Sequence, residues 1–324
     1  MNLKKPSTAI ARATTTVIDA EMATVTLDYV QRATADNTRA AYRSDIRHFE
    51  RWGGKLPTDT ATVVRYCEIH ASSLNPRTLK RRMVALRQFH QYLGFADPTD
   101  HPLVHKTLRG IQNTYGRPKD RAAPLLLEHI EALVSHLKTI DTLAAKRDIA
   151  LITLGFFAAL RGRELVALQV EYIDLEARGL TITLPRSKTD PTGEGQVCAV
   201  PRLTQRYCPC SALAIWQQAS GIQCGHLFRG INRWQQLANK PLTIHGLNHL
   251  LRRWVSEIDL PQVNKISSHS LRRGMATSAS AAGANFKSIM RQGRWRHEGT
   301  LLQYIEAGQK FDDNAVTAMV PKST

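Results

Sequence analysis

The sequence predicts a mainly helical protein of two domains, with a small antiparallel β-sheet in the second domain (an α+β fold). Apolar residues recur at helical spacing through most of the 324 residues, whereas one stretch, 172–200, alternates or is β-branched. Residues 113–124 collect glycine, proline and charge between two apolar regions, which is typical of a linker. We therefore expect a flexible tail over 1–25, a first domain over 26–115, a linker over 116–123, a second domain over 124–307 and a C-terminal tail over 308–324.

The first domain is predicted to consist of four or five helices. Structure starts near Thr26, and a further helix opens at the capping segment 36–38 and closes at Gly53-Gly54. Others span 60–70, the residues after Asn75-Pro76, and 101–112. The helix after Pro76 is the longest, and its apolar face carries Leu79, Met83, Leu86, Phe89, Tyr92 and Leu93.

The second domain is predicted to begin with two helices, 125–140 and 144–160. The second of them is apolar on most faces, so we expect it to be central. Strands are predicted over 172–175, 180–184 and 196–200, with turns at Gly179 and at 190–193. Helices return at 209–220, 245–257, 270–282, 286–292 and 298–307.

The charge balance favours a polyanionic partner. The chain carries 44 Lys and Arg residues against 27 Asp and Glu, a net charge of +17. Residues 1–120 hold 19 basic and 11 acidic residues, and the remainder holds 25 and 16, so both domains are basic. Nucleic acid is the first candidate, and both domains are expected to face it as a clamp. A generally basic protein without such a partner is the alternative.

The expected compartment is the cytoplasm, in association with DNA and without a membrane partner. No apolar run approaches the roughly 18 residues of a membrane span, since the best one, 149–160, ends at Arg161. The N-terminus lacks the apolar core of a secretory signal, and five cysteines are too few for a disulfide framework.

The cysteines leave one alternative open. A zinc site formed by Cys208, Cys210, Cys224 and His226 is conceivable, but Cys-x-Cys is tighter than the common zinc ligand pair. Incidental, partly buried thiols are the simpler explanation. No metal or other cofactor is expected.

Four short segments carry residue types that suit phosphate chemistry, and their order along the chain matters more than any one of them. They contribute, in order, Arg161 with Glu164, Lys188, His269 with Arg272, and Trp295 with Tyr304 nine positions later. Lys188 falls in the turn between two predicted strands, and His269 begins a His-x-x-Arg motif at a predicted helix start.

Cleavage of a DNA phosphodiester without a metal requires a nucleophile, a proton donor for the leaving oxygen and cations for the extra charge of the transition state. Arginine offers two donors in a fixed fork that matches two non-bridging oxygens, so Arg161 and Arg272 can clamp one phosphate. A free tyrosine has a pKa of about 10, and positive charge nearby favours its phenolate. Tyr304 beside the two arginines would be placed for attack.

From about residue 125 to 307 this ordered set resembles the catalytic domain of the tyrosine recombinase family, the integrases and site-specific recombinases. The helical first domain is similar, more loosely, to the core-binding domain of that family. Single motifs of this kind are weak evidence, whereas five in order at these separations are strong. Trp295 stands where many members have His and where the Cre-like members have Trp.

The resemblance implies a site-specific DNA recombinase or integrase that cleaves and rejoins DNA through a 3′-phosphotyrosine, without metal or ATP, and exchanges strands through a Holliday junction. Tyr304 would attack the phosphorus, Lys188 would protonate the departing 5′ oxygen, and His269 would act as an acid/base partner. Trp295 can donate a hydrogen bond to the phosphate but cannot shuttle a proton. Glu164 would orient His or Arg without touching DNA.

The resemblance also implies partners. The substrate would be double-stranded DNA with short inverted-repeat core sites, bound by a homo-tetramer, and accessory DNA-bending proteins are compatible with this scheme. About 25 residues precede the first domain, too few for the additional arm-type domain of some phage integrases. The tail after Gly308 would dock on a neighbouring protomer through Phe311, Val316, Met319 and Val320.

DNA contacts of the first domain are expected on the basic face of the longest helix, with a contribution from the preceding helix. The candidates are Arg39, Arg43, Arg77, Lys80, Arg81, Arg82 and Arg87. The alternative is that this face is merely solvated. In the second domain, a solvated or phosphate-facing surface is expected to contain Arg273, Arg291, Arg294 and Arg296.

Each candidate catalytic residue also has an explanation without catalysis. Arg161 can cap a helix C-terminus, and Lys188 can be an ordinary turn residue. His269 can be a helix-start or core histidine, Trp295 a core anchor, and Tyr304 a residue of a helix face.

Three other functions are alternatives to recombination. A type IB topoisomerase uses the same phosphotyrosine chemistry without strand exchange, and junction formation on a repeat-containing target would discriminate the two. A DNA-binding regulator that retains the fold should have lost a catalytic residue, and none is lost. RNA binding is disfavoured because the sequence shows no aromatic platform or glycine loop.

Overall fold

A computed structural model describes residues 35–118, 120–185 and 195–309, and the chain divides into two units after Lys119. Both units are mainly helical, and the second carries small antiparallel sheets, which confirms the predicted fold class. The predicted helix near Thr26, Lys188 with the turn at 190–193, and the apolar residues of the C-terminal tail lie outside the described residues. Within the described ranges, no helix is long and apolar enough to cross a membrane.

Local interactions set the ends of the helices in the first unit. Its described helices are α1 (Asp36–Trp52), α2 (Thr60–Ile69), α3 (Pro76–Tyr92) and α4 (Pro102–Tyr115). Gly53, with a φ of 108°, ends α1 in the left-handed conformation. The Asp59 carboxylate accepts the N–H of Thr62 at the start of α2, and Asn75 caps α3 with Pro76 in its first turn.

In the core of the first unit, α1 packs against α3 and α2 packs against α4. Leu79, Met83 and Leu86 on α3 are buried, each burial being worth about 1.5–3 kcal/mol, so the predicted apolar face is confirmed there. The C-terminal end of α3 is not part of this core, since Tyr92 and Leu93 are 55% and 52% exposed. The helix ends at these residues, and Gly94 follows in the left-handed conformation with a φ of 74°.

The second unit is built around one buried helix. Its elements are, in chain order, α5 (Leu127–Ile140), α6 (Leu143–Phe157), α7 (Gly162–Ala167), β1 (Ile173–Glu176), β2 (Gly179–Leu184), β3 (Gln196–Pro201), α8 (Pro209–Ser220), β4 (Arg229–Ile231), β5 (Leu237–Pro241), α9 (Ile244–Glu257), α10 (Ser268–Ala281), α11 (Phe286–Gly293) and α12 (Glu298–Gln309). Helix α6 packs against α5, α8 and α10 and is buried on nearly all sides, as its apolar sequence predicts.

The three strands predicted between 172 and 200 form an antiparallel sheet in the order β1-β2-β3. Ile182 of the central strand lies opposite both Ile173 and Cys198. The second, two-stranded sheet of β4 and β5 was not predicted, because residues 229–241 do not alternate apolar and polar side chains. That hairpin depends instead on backbone pairing and on the Asn232 side chain, whose oxygen accepts the N–H groups of Trp234 and Gln236, each at 3.0 Å.

Helix α10 lies unusually close to the first residues of the second unit. A Cβ atom at Gly274 would lie 1.6 Å from the carbonyl oxygen of Leu125, so only glycine fits there. The N–H of Leu125 donates to the Ser270 carbonyl at 3.0 Å, and the Arg273 guanidinium donates to the carbonyl of Ala122. These contacts fix the helix from which two of the predicted site residues project.

Candidate active site

A turn after α6 places Arg161 at the start of α7. Its Nη1 donates to Glu164 Oε1 at 2.6 Å, and its backbone N–H donates to Glu164 Oε2 at 2.8 Å. Burial opposes ionisation of Glu164, but the Arg161 N–H and the charges of Arg294 and Arg161 hold the pKa of this carboxyl below its ordinary value. The Arg161 side chain is 23% exposed, so part of it remains accessible to a ligand.

Arg272 projects from α10 and is buried. Its Nη1 donates to the Ala159 carbonyl at 2.5 Å, and its guanidinium carbon lies 4.1 Å from the centroid of the Trp295 ring. Burial, together with the neighbouring charges of Arg161 and Arg294, lowers the pKa of Arg272 to about 9, so it is still a cation at neutral pH. Several cations concentrated around one point favour an anionic ligand there.

Tyr304 lies on α12, which packs against α10, and only 9% of the residue is exposed. Its hydroxyl oxygen lies 3.1 Å from Nε2 of His269, and the two rings meet edge to face at 83°. The Arg273 guanidinium carbon lies 5.1 Å from the centroid of the tyrosine ring. Thr277 Oγ1 also donates to the Tyr304 carbonyl at 3.2 Å. The tyrosine is therefore held firmly, with a base within reach of its hydroxyl.

Trp295 lies between the arginine and the tyrosine. Its ring centroid is 6.1 Å from that of Tyr304, and the Arg272 guanidinium stacks on the same indole. A Cβ atom at Gly293 would lie 1.8 Å from the indole, so this glycine makes room for the ring. The contacts thus run from His269 through Tyr304 and Trp295 to Arg272.

Lys188 belongs to the segment between β2 and β3 that lies outside the described residues. The flanking strand β3 passes beside the turn that leads to Arg161, because Cys198 Sγ lies 3.6 Å from the Ala158 carbonyl. Gln292 Nε2, from the end of α11, donates to the Ala199 carbonyl at 3.2 Å.

Two of the arginines expected on a surface of the second unit are buried, so that prediction is wrong for them. Arg273 is 5% exposed and donates to Ala122, and the Arg294 side chain is 6% exposed. Helix α11 ends in a left-handed turn at Arg294, and Nη2 of this residue lies 3.1 Å from Glu164 Oε2. Arg291 and Arg296 are exposed, as expected.

In the first unit, several of the predicted DNA-contact side chains have partners within the protein. Arg81 makes two hydrogen bonds to the Asp45 carboxylate, at 2.8 and 2.7 Å, and Arg87 pairs with Asp97 at 2.8 Å. Arg77 donates to the Arg117 carbonyl, and Arg39 pairs with Asp36. Lys80 and Arg43 are exposed.

The prediction that Arg82 faces DNA is wrong, because this side chain is buried in a polar cluster. Its Nη1 donates to the Tyr66 hydroxyl at 2.7 Å and lies 2.8 Å from His48 Nδ1, and its Nε is 3.5 Å from the Asp45 carboxylate. Three residues before it on α3, Leu79 is buried in the core, so Arg82 shares the inward face of the helix.

A second basic surface lies on α1, where the sequence predicted contacts by Arg39 and Arg43 but not by Arg47 and Arg51. Arg43, Arg47 and Arg51 are exposed and follow one another at intervals of four residues, which places them on one face of the helix. We call these three residues the α1 arginine stripe. Its four-residue period is visible in the sequence and is the pattern that would have revealed it.

The zinc alternative gains no ligand set. Cys208 and Cys210 are buried at the start of α8, whereas Cys224 is exposed. Among the residues that the structure describes, no group of three or more His, Cys, Asp or Glu side chains is placed to hold a metal ion.

The chain is similar to known proteins over most of its length. Residues 125–310 match the phage integrase family, and residues 27–94 match the phage integrase N-terminal SAM-like domain. The chain is 33% identical over 302 residues to an integrase/recombinase XerD homolog of Selenomonas ruminantium, covering 90% of this chain and 88% of the relative. It is 29% identical over 268 residues to tyrosine recombinase XerC of Erythrobacter litoralis, covering 80% and 78%.

Solved structures share the fold. A lambda integrase dimer bound to a COC′ core site matches with a TM-score of 0.62 at 13% identity, over 92% of this chain and 99% of that chain. XerH recombinase in a post-cleavage complex with a palindromic difH substrate matches with a TM-score of 0.60 at 17% identity, over 87% and 78%.

Proposed function

Because this chain belongs to the phage integrase family of tyrosine recombinases, which are site-specific DNA recombinases, we propose that it cleaves and rejoins double-stranded DNA through a 3′-phosphotyrosine and exchanges strands through a Holliday junction. The observation that carries the proposal is the 3.1 Å contact between the Tyr304 hydroxyl and His269 beside the buried cation Arg272. A nucleophile, a base and a phosphate-binding cation are the groups that such a reaction requires.

In the cleavage step, the Tyr304 oxygen forms a bond to phosphorus while the bond from phosphorus to the 5′ oxygen breaks. His269 accepts the phenolic proton, and Lys188 donates a proton to the departing 5′ oxygen, which leaves as a hydroxyl. Rejoining reverses both transfers, with a 5′-hydroxyl of the partner strand as the nucleophile. The phosphotyrosine conserves the energy of the phosphodiester, so the cycle consumes no ATP.

The arginines bind the non-bridging oxygens of the scissile phosphate in this proposal. Arg272 contributes a charge already fixed by Ala159 and Trp295, and Arg161 contributes a partly exposed side chain held by Glu164. The Trp295 indole N–H adds a neutral donor. Glu164 holds the Arg161 side chain and does not itself approach DNA, since its carboxylate is taken up by arginines.

Covalent capture tests this function without knowledge of the target site. Wild type and Tyr304→Phe are incubated with sheared DNA from the source organism in EDTA, and fragments that remain attached to protein after boiling in detergent are sequenced. We expect wild type to retain a recurrent sequence and Tyr304→Phe to retain none, although both bind DNA. Capture by Tyr304→Phe as strong as by wild type contradicts the assignment of the nucleophile. Absence of capture by both, also with nicked versions of the preferred bound sites, favours a regulator.

For the first unit, we propose that the α1 arginine stripe contacts the DNA backbone. Its three arginines are exposed on one helix face, whereas Arg81, Arg82 and Arg87 of α3 pair with carboxylates of the protein. Phosphate contacts of this kind position a protein on DNA and release counterions.

The stripe is tested by the salt dependence of DNA binding. Arg43→Gln/Arg47→Gln removes two phosphate contacts, and the logarithmic slope of affinity against salt should fall by about two. The matched control, Arg65→Gln/Arg109→Gln, removes two exposed charges from α2 and α4 and should leave the slope nearly unchanged. Equal slopes for the two double variants would remove the stripe from the DNA interface.

We also propose a tetrameric assembly and a cytoplasmic location. Four protomers act on two inverted-repeat core sites in the DNA-containing cytoplasm, and the tail after Gly308 docks on a neighbouring protomer. Deletion of 309–324 should leave DNA binding nearly intact while impairing synapsis in a gel-shift assay. Unchanged recombination by the truncated chain would contradict a docking role for the tail.

A further inference from the structure

Arg294 occupies a backbone position that ordinarily suits glycine. It caps the end of α11 with a φ of 55°, in the left-handed region where most side chains are strained. Such a conformation persists where surrounding contacts compensate for the strain. The contacts of the Arg294 side chain are therefore expected to stabilise this strained backbone.

Those contacts use every terminal N–H of the guanidinium. Nη1 donates to the carbonyls of Ala158 and Gln292, at 3.1 and 3.2 Å. Nη2 donates to the Ala159 carbonyl at 3.4 Å and to Glu164 Oε2 at 3.1 Å. With two hydrogens on each of these nitrogens, no terminal donor is left for a phosphate. The side chain is also 6% exposed, so Arg294 is not a ligand of DNA.

Two of the four acceptors of Arg294, Glu164 and the Ala159 carbonyl, also hold the two phosphate-clamping arginines. Glu164 binds Arg161 through Nη1 at 2.6 Å and through the backbone N–H at 2.8 Å, so its carboxylate joins Arg161 to Arg294. The Ala159 carbonyl is shared in turn between Arg294 and Arg272, whose Nη1 donates to it at 2.5 Å. One buried guanidinium thus contacts the supports of both Arg161 and Arg272.

We propose that Arg294 is a positioning residue for DNA cleavage, which acts through Glu164 and the Ala158–Ala159 carbonyls to hold Arg161 and Arg272 at the scissile phosphate. The inference rests on the proposed function, because it concerns the same cleavage step. It also assigns Glu164 a second duty. The carboxylate orients the Arg161 fork and at the same time offsets the charge of a third buried arginine.

The test compares Arg294→Gly, Arg294→Lys, Glu164→Gln and the double variant Arg294→Gly/Glu164→Gln with wild type. Glycine accepts the left-handed backbone without strain, so Arg294→Gly removes the guanidinium alone. Lysine retains the charge but cannot reach four acceptors. Arg178→Gly, in the exposed turn between β1 and β2, is the matched control for loss of an arginine. The measurement is the single-turnover rate of covalent complex formation at saturating DNA, over a range of pH, with thermal melting as a check of folding.

We expect Arg294→Gly to lower the saturating rate about 10- to 100-fold, as misplacement of catalytic groups does, with an unchanged DNA dissociation constant. Arg294→Lys should lie between it and wild type. In Arg294→Gly the acid limb of the rate profile should move to higher pH, because the pKa of Glu164 loses the lowering effect of the Arg294 charge. The double variant should lose less than the product of the two single losses, because both changes act in part through the same carboxylate.

Rate losses that multiply in the double variant would overturn the inference, as would a defect that vanishes at saturating DNA. A loss shared equally by Arg178→Gly would do the same. Should Arg294→Gly fail to fold, Arg294→Lys decides, and a wild-type rate and pH profile in that variant would overturn the proposal. A wild type that forms no covalent complex rejects the proposed function and this inference with it, whereas a wild type that cleaves leaves the variants to judge Arg294 alone.

Discussion

His269 Nε2 lies 3.1 Å from the Tyr304 hydroxyl oxygen, across the packed pair of helices α10 and α12. The two residues are 35 positions apart in the sequence, and neither helix alone can bring them together. The hydroxyl can donate to this nitrogen when the ring is neutral, which is the arrangement a general base needs before attack.

The first prediction concerns this contact. His269→Gln keeps a polar group near the hydroxyl but cannot accept the proton, so the single-turnover cleavage rate should fall about 100-fold or more. DNA affinity should be unchanged, because the phosphate-binding arginines remain. The exposed His245→Gln is the control. A rate within threefold of wild type would show that the phenolic proton leaves by another route.

The second prediction concerns Trp295, which stacks on Arg272 at 4.1 Å. Trp295→Phe keeps an aromatic face but loses the indole N–H, and it should reduce cleavage about tenfold with little change in melting temperature. Trp295→Ala removes the face as well, so it should lose more activity and about 2–4 kcal/mol of stability. Melting curves and covalent capture measure the two effects. Equal activity of Phe and Ala variants would mean that stacking on Arg272 does not contribute.

The third prediction distinguishes a core arginine from a DNA-binding one. Arg82→Met leaves the Tyr66 hydroxyl and His48 without their shared partner, and it should destabilise the first unit by about 2–3 kcal/mol. Lys80→Met, two residues earlier and exposed, should change stability by less than about 0.5 kcal/mol. Urea unfolding measures both. A stable Arg82→Met protein with a reduced salt slope of DNA binding would restore Arg82 to the DNA interface.

The fourth prediction is a pH dependence of the first unit. Burial, together with the nearby Arg82 charge, lowers the pKa of both His48 and His70, and Asp45 opposes this for His48. Between the lowered values and about 6.5, the unfolded chain binds more protons than the folded one. This contribution to stability is therefore complete above about pH 6.5 and is lost as the pH falls through the folded-state values.

The measurement is the melting temperature of the first unit between about pH 7.5 and 5.5, which should fall by a few degrees. His70→Phe keeps the ring contacts with Tyr66 and removes one titrating group, so its melting temperature should depend less on pH. His245→Gln should retain the full dependence. An identical slope for wild type and His70→Phe would exclude His70 as a source.

The order of the motifs in the sequence was sufficient to predict the fold class and a common site for His269, Arg272, Trp295 and Tyr304. Helix ends followed from local signals such as Asn75-Pro76, which the structure places at the start of α3. Burial of charged residues was not predictable in the same way. The partners of Arg82 and Arg294 lie on other elements, with Glu164 130 positions from Arg294, so charge alone made both residues look exposed.

The sheet of β4 and β5 could not be predicted from hydrophobic periodicity. Its strands are held by main-chain hydrogen bonds and one asparagine, which leave little hydrophobic periodicity. The α1 arginine stripe, by contrast, could have been predicted from the sequence. The prediction included Arg39 and Arg43 of this helix but gave most weight to α3, so it missed the continuation of the four-residue period through Arg47 and Arg51.

The contact between Ala122 and Arg273 has a mechanical consequence. The chain enters the second unit bound to α10, through the Arg273 guanidinium on the Ala122 carbonyl and the Leu125 N–H on the Ser270 carbonyl. A pull or twist on the chain at this point acts first on the helix that bears His269 and Arg272, and through Arg273 it reaches the face of the tyrosine ring 5.1 Å away. A fragment of the protein that keeps its nucleophile in place must therefore begin before Ala122. A fragment that begins at Leu125 lacks the Ala122 carbonyl and so loses the hydrogen bond that holds Arg273.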